Sequence, residues 1–133
     1  MRQRRIGDLF QTADSKTEKH VPVIDCPTTV SPGKAFEVKL SIGKEIPHPN
    51  SVRHHIRWMK LFFQPDGEKT AYEVAGFEFG SHGETAPDLD KELIYNEPRA
   101  TVRLTIDRPG ALLAISYCNI HGLWENAAEV GLL

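Results

Sequence analysis

The run SYCNIHGLWEN, residues 116–126, places Cys118 three residues before His121 where an apolar segment runs out. A thiolate is a soft ligand and an imidazole a borderline one, so such a pair suits zinc, copper or iron better than calcium or magnesium. A lone Cys-x-x-His occurs in many chains by chance, so a metal centre would need further donors. The chain has six histidines, and five of them fall at segment ends: His20, His48, His54, His55 and His121. Loops and strand ends gather at one edge of a β-sandwich, where residues distant in sequence can converge.

His48 stands between Pro47 and Pro49, which stiffen the backbone on both sides, as a fixed ligand requires. His54 and His55 are neighbours at the start of a strand and would point to opposite faces, so at most one reaches a shared ion. Both faces of the following strand carry large apolar residues, and alternation does not choose between the two. His82, in the polar segment SHGE, reads as a solvated side chain. Cys26, between Asp25 and Pro27, reads as a small, half-buried thiol and not as a ligand.

The elements that must position these side chains are strands. FEVKLSI, 36–42, alternates with Phe36, Val38, Leu40 and Ile42 on one face, the period of a half-buried strand. IRWMKLFFQ, 56–64, stops at the turn signal Pro65-Asp66-Gly67, and AYEVAGFEF follows at 71–79. After a polar, proline-containing loop from Ser81 to Leu89 come TVRLTI, 101–106, the turn Arg108-Pro109-Gly110, and the apolar run ALLAISYC, 111–118. Short strands separated by Pro/Gly turns predict an all-β protein, an immunoglobulin-like antiparallel β-sandwich. Residues 1–17, with IGDLFQ as a helical turn, form an N-terminal arm; residues 18–133 form the sandwich domain.

Composition narrows the function classes. A chain of 133 residues fits one domain. Its net charge of −2 argues against a nucleic-acid partner, and MRQRR at 1–5 is too short a basic cluster to reverse that. No segment has the roughly 20 apolar residues that cross a bilayer, and no apolar stretch follows the first arginines as in a secretory signal. The sequence therefore predicts a cytoplasmic protein with reduced thiols.

Three blocks carry a resemblance. EKHVPVI at 18–24, GKEIPHPNSVRHHIRW at 43–58 and SYCNIHGLWEN at 116–126 resemble, in the same order, the signature blocks of superoxide reductases of the single-iron neelaredoxin type, the desulfoferrodoxin family without its N-terminal rubredoxin-like domain. The resemblance implies one mononuclear non-haem iron per chain, held by His20, His48, His54 and His121 with the Cys118 thiolate as axial ligand. It selects His54 over His55. It further implies Glu18 as the carboxylate that takes the sixth position in the oxidised state, and Lys19 as the cation that attracts superoxide. The cysteines of a second, rubredoxin-like iron are missing, so electrons would come from another protein such as rubredoxin. Members of the family form homotetramers or dimers.

Neutral imidazoles leave the charge of a ferrous ion in place and one thiolate removes a single unit, so the centre stays attractive to an anion. An axial thiolate also pushes electron density towards O–O cleavage, the wrong bond for releasing hydrogen peroxide. Backbone N–H groups of Asn119 or Ile120 are expected to hydrogen-bond the sulfur and weaken that push. Tyr117 and Trp124 are expected to pack around the site. The alternative from another class is a blue-copper electron carrier, also a β-sandwich with an early His and a late Cys and His. It would leave His20 and His54 without a role and has no methionine after His121.

Overall fold

In the computed structural model, which describes residues 3–85 and 93–133, the alternating segments become strands. They are β1 (Val23–Asp25), β2 (Thr29–Val30), β3 (Phe36–Ser41), β4 (Ile56–Pro65), β5 (Tyr72–Glu78), β6 (Arg99–Leu104), β7 (Gly110–Cys118) and β8 (Gly122–Leu132). A single 3₁₀ turn, Ile6–Leu9, precedes them where IGDLFQ predicts a helical turn. No helix among the described residues is long and apolar enough to cross a membrane.

Two sheets form the sandwich, one ordered β1-β3-β6 and the other β2-β8-β7-β4-β5. The predicted antiparallel pairing holds for β1–β3, β3–β6, β4–β5, β4–β7 and β7–β8. It fails for β2, which runs parallel to the end of β8 through Thr29↔Gly131 and Val30↔Leu132. The polar loop expected from Ser81 to Leu89 can be followed to residue 85; its remainder, like the first two residues of MRQRR, lies outside the described residues.

Alternation explains the core. Phe36, Val38 and Leu40 of β3 are buried while Glu37 and Lys39 face solvent. Opposite them, Leu112, Ala114, Ser116 and Cys118 of β7 are buried at every second position, beside Met59 and Leu61 of β4 and Val130 of β8. Each large apolar side chain taken out of water here contributes roughly 1.5–3 kcal/mol. The last inward position of β7 is Cys118, so the same period that builds the core aims the thiol at its edge.

Two features depart from sequence reasoning. β8, the longest strand at 11 residues, follows His121, where no strand is expected. Its middle, ENAAE, is acidic and alanine-rich, and only Trp124 and Val130 are buried along it. Pairing with β7 over nine registered positions, from Gly110↔Val130 to Cys118↔Gly122, makes it a strand despite its composition. β4 is irregular at two points, between Ile56 and Trp58 and between Leu61 and Phe62. The first places Arg57 as an extra residue, so Ile56 and Met59 both face inward.

Gly110 opens β7 with its α-carbon against β4: a Cβ there would lie 2.3 Å from the Gln64 carbonyl oxygen and 2.7 Å from Phe63. The oxygen belongs to the backbone and cannot step aside. Gly110→Ala is expected to destabilise the protein by about 1–3 kcal/mol, read as a lower urea midpoint with unchanged slope.

Candidate metal centre

The centre is built first by a turn. β7 ends at Cys118 and β8 begins at Gly122, so Asn119, Ile120 and His121 form a three-residue hairpin loop closed by the Cys118↔Gly122 pair. Gly122 has φ +81°, a conformation that closes such a loop and that a side chain would strain. The loop folds His121 back over the cysteine, where Sγ lies 3.8 Å from Nδ1 and accepts a 3.4 Å bond from the His121 backbone N–H. The sulfur's donor is thus His121. The Asn119 N–H, expected to serve the sulfur, goes instead to the His55 carbonyl at 3.2 Å.

That contact belongs to a clamp. The Asn119 side chain accepts from the His55 N–H at 2.9 Å and donates through Nδ2 to the Arg53 carbonyl at 2.9 Å. Its three bonds bracket His54 and bring the His54 loop onto the Cys118–His121 loop. The Ser51 hydroxyl helps by accepting from the His54 N–H at 3.2 Å.

Three ring nitrogens then meet. His121 Nδ1 stands 3.1 Å from His20 Nε2 and 3.1 Å from His54 Nε2. With Cys118 Sγ, the ligand atoms of His20, His54, Cys118 and His121 lie within 4.8 Å of one another. His48 adjoins them, its ring centroid 4.9 Å from that of His20 and 4.7 Å from that of His54. Its Nδ1–H donates to the Pro49 carbonyl at 2.6 Å, which leaves Nε2 as the lone-pair nitrogen; that atom is buried and has no hydrogen-bond partner.

These facts fit a cation. Neighbouring ligands on an ion with bonds of about 2.1 Å stand about 3 Å apart, the spacing found between the rings. A proton on His121 Nδ1 could be shared with only one neighbour at a time, and it would do nothing for His48 Nε2. Burial, the largest effect on each, lowers the proton affinity of His20, His48 and His54, and takes His48 down to about 4. Lys19 acts on all three in the same direction, so its positive charge reaches these rings. His48 is therefore neutral at pH 7, and each depressed ring has less tendency to exchange a metal for a proton.

Glu18 takes a position that the resemblance does not imply. Its Oε1 accepts from His20 Nδ1–H at 2.6 Å and from the His20 backbone N–H at 3.0 Å, and it lies outside the cluster of ligand atoms. The side-chain hydrogen bond to His20 is the main cause of its lowered pKa. In this geometry the carboxylate fixes the His20 tautomer and turns Nε2 inward, as carboxylates behind metal-bound histidines do.

The remaining candidates separate cleanly. His55, the residue before β4, is buried and stands outside the cluster of ligand atoms, its Nδ1–H bonded to the Ser51 carbonyl at 2.8 Å. His82 is not solvated as its loop suggests: it is 5% exposed, stacked on His55 with centroids 3.5 Å apart, and its Nε2–H donates to the Ile56 carbonyl at 3.3 Å. A bridge between His82 and Tyr95 draws this loop across the start of β4, a tertiary contact with no local signal. Cys26 is a free, half-buried thiol packed against the core. Trp124 packs as expected, stacked on the His20 ring at 5.0 Å, and its indole N–H also donates to the His121 carbonyl at 3.2 Å. Sequence reasoning missed Gln11 altogether; its side chain donates to the same carbonyl at 3.0 Å.

Removing the Asn119 clamp leaves the Arg53 carbonyl and the His55 N–H unpaired. Asn119→Ala is expected to cost about 1–3 kcal/mol of stability and to weaken metal binding about tenfold, measured by optical titration of the metal-free protein with cobalt(II).

Comparison with known proteins agrees with this construction. The desulfoferrodoxin family model matches residues 12–127. A neelaredoxin of Megalodesulfovibrio gigas is 51% identical over 128 residues, covering 96% of this chain and 98% of that protein. A superoxide reductase of Pyrococcus furiosus is 46% identical, covering 91% of this chain and 95% of its own length. Among solved structures, the superoxide reductase (neelaredoxin) of Archaeoglobus fulgidus in its reduced form superposes with a TM-score of 0.85 at 48% identity, over 93% of this chain and 99% of that one. Matched along nearly its whole length in both sequence and fold, this chain belongs to the desulfoferrodoxin family.

Proposed function

We propose that the protein is a superoxide reductase that holds one mononuclear non-haem iron on His20, His48, His54, His121 and Cys118. One observation carries the reading: ring nitrogens from three distant segments and the Cys118 sulfur converge, with a fourth ring beside them whose buried Nε2 has no partner. The relatives named superoxide reductase add to it. Iron, when bound, supplies the single electron that turns superoxide, with two protons, into hydrogen peroxide, and is returned to the ferrous state by a donor protein.

The residues of this chain do the rest. Cys118 and His121, fixed by one turn, present a thiolate and an imidazole in constant relation. The His121 N–H bond to the sulfur draws density from it and moderates the thiolate's push. Lys19, half-buried beside the rings, steers the anion to the mouth, and the exposed edge of His121 keeps that mouth open to solvent protons. Glu18 holds His20 in the geometry described here; in the oxidised protein it would leave His20 Nδ1 to become the sixth ligand.

A blue-copper carrier is disfavoured because four rings crowd the site where that chemistry uses two. We further take the protein to be cytoplasmic, to receive electrons from rubredoxin or a similar donor, and to work as a homotetramer or dimer. Residues 18–133 form the functional domain and 1–17 its arm.

Elemental analysis of untagged protein should return about one iron per chain; copper at that level would move the reading to the carrier. Cys118→Ser should abolish the visible thiolate-to-iron charge-transfer band while the fold persists. Lys19→Ala should slow the reaction with superoxide about tenfold at low salt and flatten its dependence on ionic strength, followed by pulse radiolysis.

A further inference from the structure

Gln11 lies in neither sheet and supplies no ligand, yet its contacts bracket the centre. Its backbone N–H donates to the Leu123 carbonyl at 3.0 Å, and its carbonyl accepts from the Glu125 N–H at 2.9 Å, a one-residue parallel bridge to Trp124 at the head of β8. Any residue but proline could make those two bonds. The third needs a glutamine: Nε2 reaches back along β8 to the carbonyl of His121, 3.0 Å away, where the Trp124 indole also donates. Asparagine is one methylene shorter, and glutamate would oppose an oxygen to an oxygen.

The next fixed points along the chain are Glu18 and His20. Between Gln11 and Glu18 the backbone closes through a turn: the N–H groups of Thr17 and Glu18 both donate to the Asp14 carbonyl at 3.0 Å, and the Lys16 N–H donates to Asp14 Oδ1 at 2.9 Å. The segment 12–19 is thus a short loop with both ends at the same site, one on the backbone of His121 and the other on the ring of His20. Glu18 and Lys19 ride on it. With the side-chain bond lost, that end would be held by the two backbone bonds to β8 alone, and the Lys19 charge would be averaged over a larger volume. Pinning the second end confines it at the modest entropic cost of a short loop.

We propose that Gln11 is a positioning residue of the centre, whose side-chain bond to His121 holds Glu18 against His20 and Lys19 beside the rings. The steering part of this inference rests on the superoxide reading; the tether itself does not. The test uses Gln11→Ala and Gln11→Glu in the full-length, metal-loaded protein, with two readouts.

In hydrogen exchange, amides of residues 12–19 should exchange about fivefold faster in both variants, the population shift expected of one lost hydrogen bond, while β4 and β7 exchange as in the wild type. In the reaction with superoxide, both variants should show a salt dependence flattened towards that of Lys19→Ala. Unchanged exchange at 12–19, or wild-type behaviour of Gln11→Glu, overturns the proposal. Faster exchange with a full wild-type salt dependence overturns it equally, since the loop would then be loosened without displacing Lys19. If the wild-type protein does not reduce superoxide, the functional reading falls; faster exchange at 12–19 with about fivefold weaker cobalt(II) binding in both variants then upholds Gln11, and unaltered binding refutes it.

Discussion

Lone pairs that face one another repel, and the structure brings several of them together. His20 Nε2 and His54 Nε2 each stand 3.1 Å from His121 Nδ1, with a cysteine sulfur beside them. A cation at the middle of such an arrangement relieves that repulsion at every nitrogen at once, which a single shared proton does not. Much of the surrounding structure serves to enforce the arrangement. The Glu18 carboxylate and the Pro49 carbonyl hold protons on the outer nitrogens of His20 and His48, and so leave the inner ones bare. The three-residue turn presses His121 onto Cys118, and Asn119 draws the His54 loop to the same point.

The enforcement is distributed between main chain and side chain. Backbone pairing sets the coarse position: β7 delivers Cys118 as the last of its inward residues, and β8 begins four residues later. Side-chain hydrogen bonds set the fine position. The His121 carbonyl accepts from both Gln11 and Trp124, and Trp124 also lies flat against His20. A single indole therefore touches two of the converging residues through different chemistry, one by ring stacking and one by a hydrogen bond.

Much of this was legible in the sequence where periodicity is clean. Phe36-Glu-Val-Lys-Leu and the run ending at Cys118 announce their inward faces, and the observed strands follow them within one or two residues. Alternation does not choose between His54 and His55 because both faces of β4 carry large apolar residues, and the irregularity between Ile56 and Trp58 interrupts any count carried back from Met59. Only the resemblance chose His54. β8 was illegible because its stability comes from the registered edge of β7 and not from its own alanines and acids. His82 was misread because burial by stacking on a histidine from another segment leaves no local pattern. Gln11 was silent for the same reason, a polar residue whose contacts lie more than a hundred positions away.

The converging residues come from both leaves of the sandwich: His20 leads into β1 of the smaller sheet, His48 lies on the crossing from β3 to β4, and Cys118 and His121 end the central hairpin of the larger one. An ion bound among them is a cross-link. It joins positions 101 residues apart, from His20 to His121, and so closes about three quarters of the chain into one ring. For a covalent bridge of that span the restriction of the unfolded chain is worth about 4–5 kcal/mol, a large share of the stability of a small domain. Such an ion would be a rivet as much as a reagent, a second fastener beside the apolar core between the two layers.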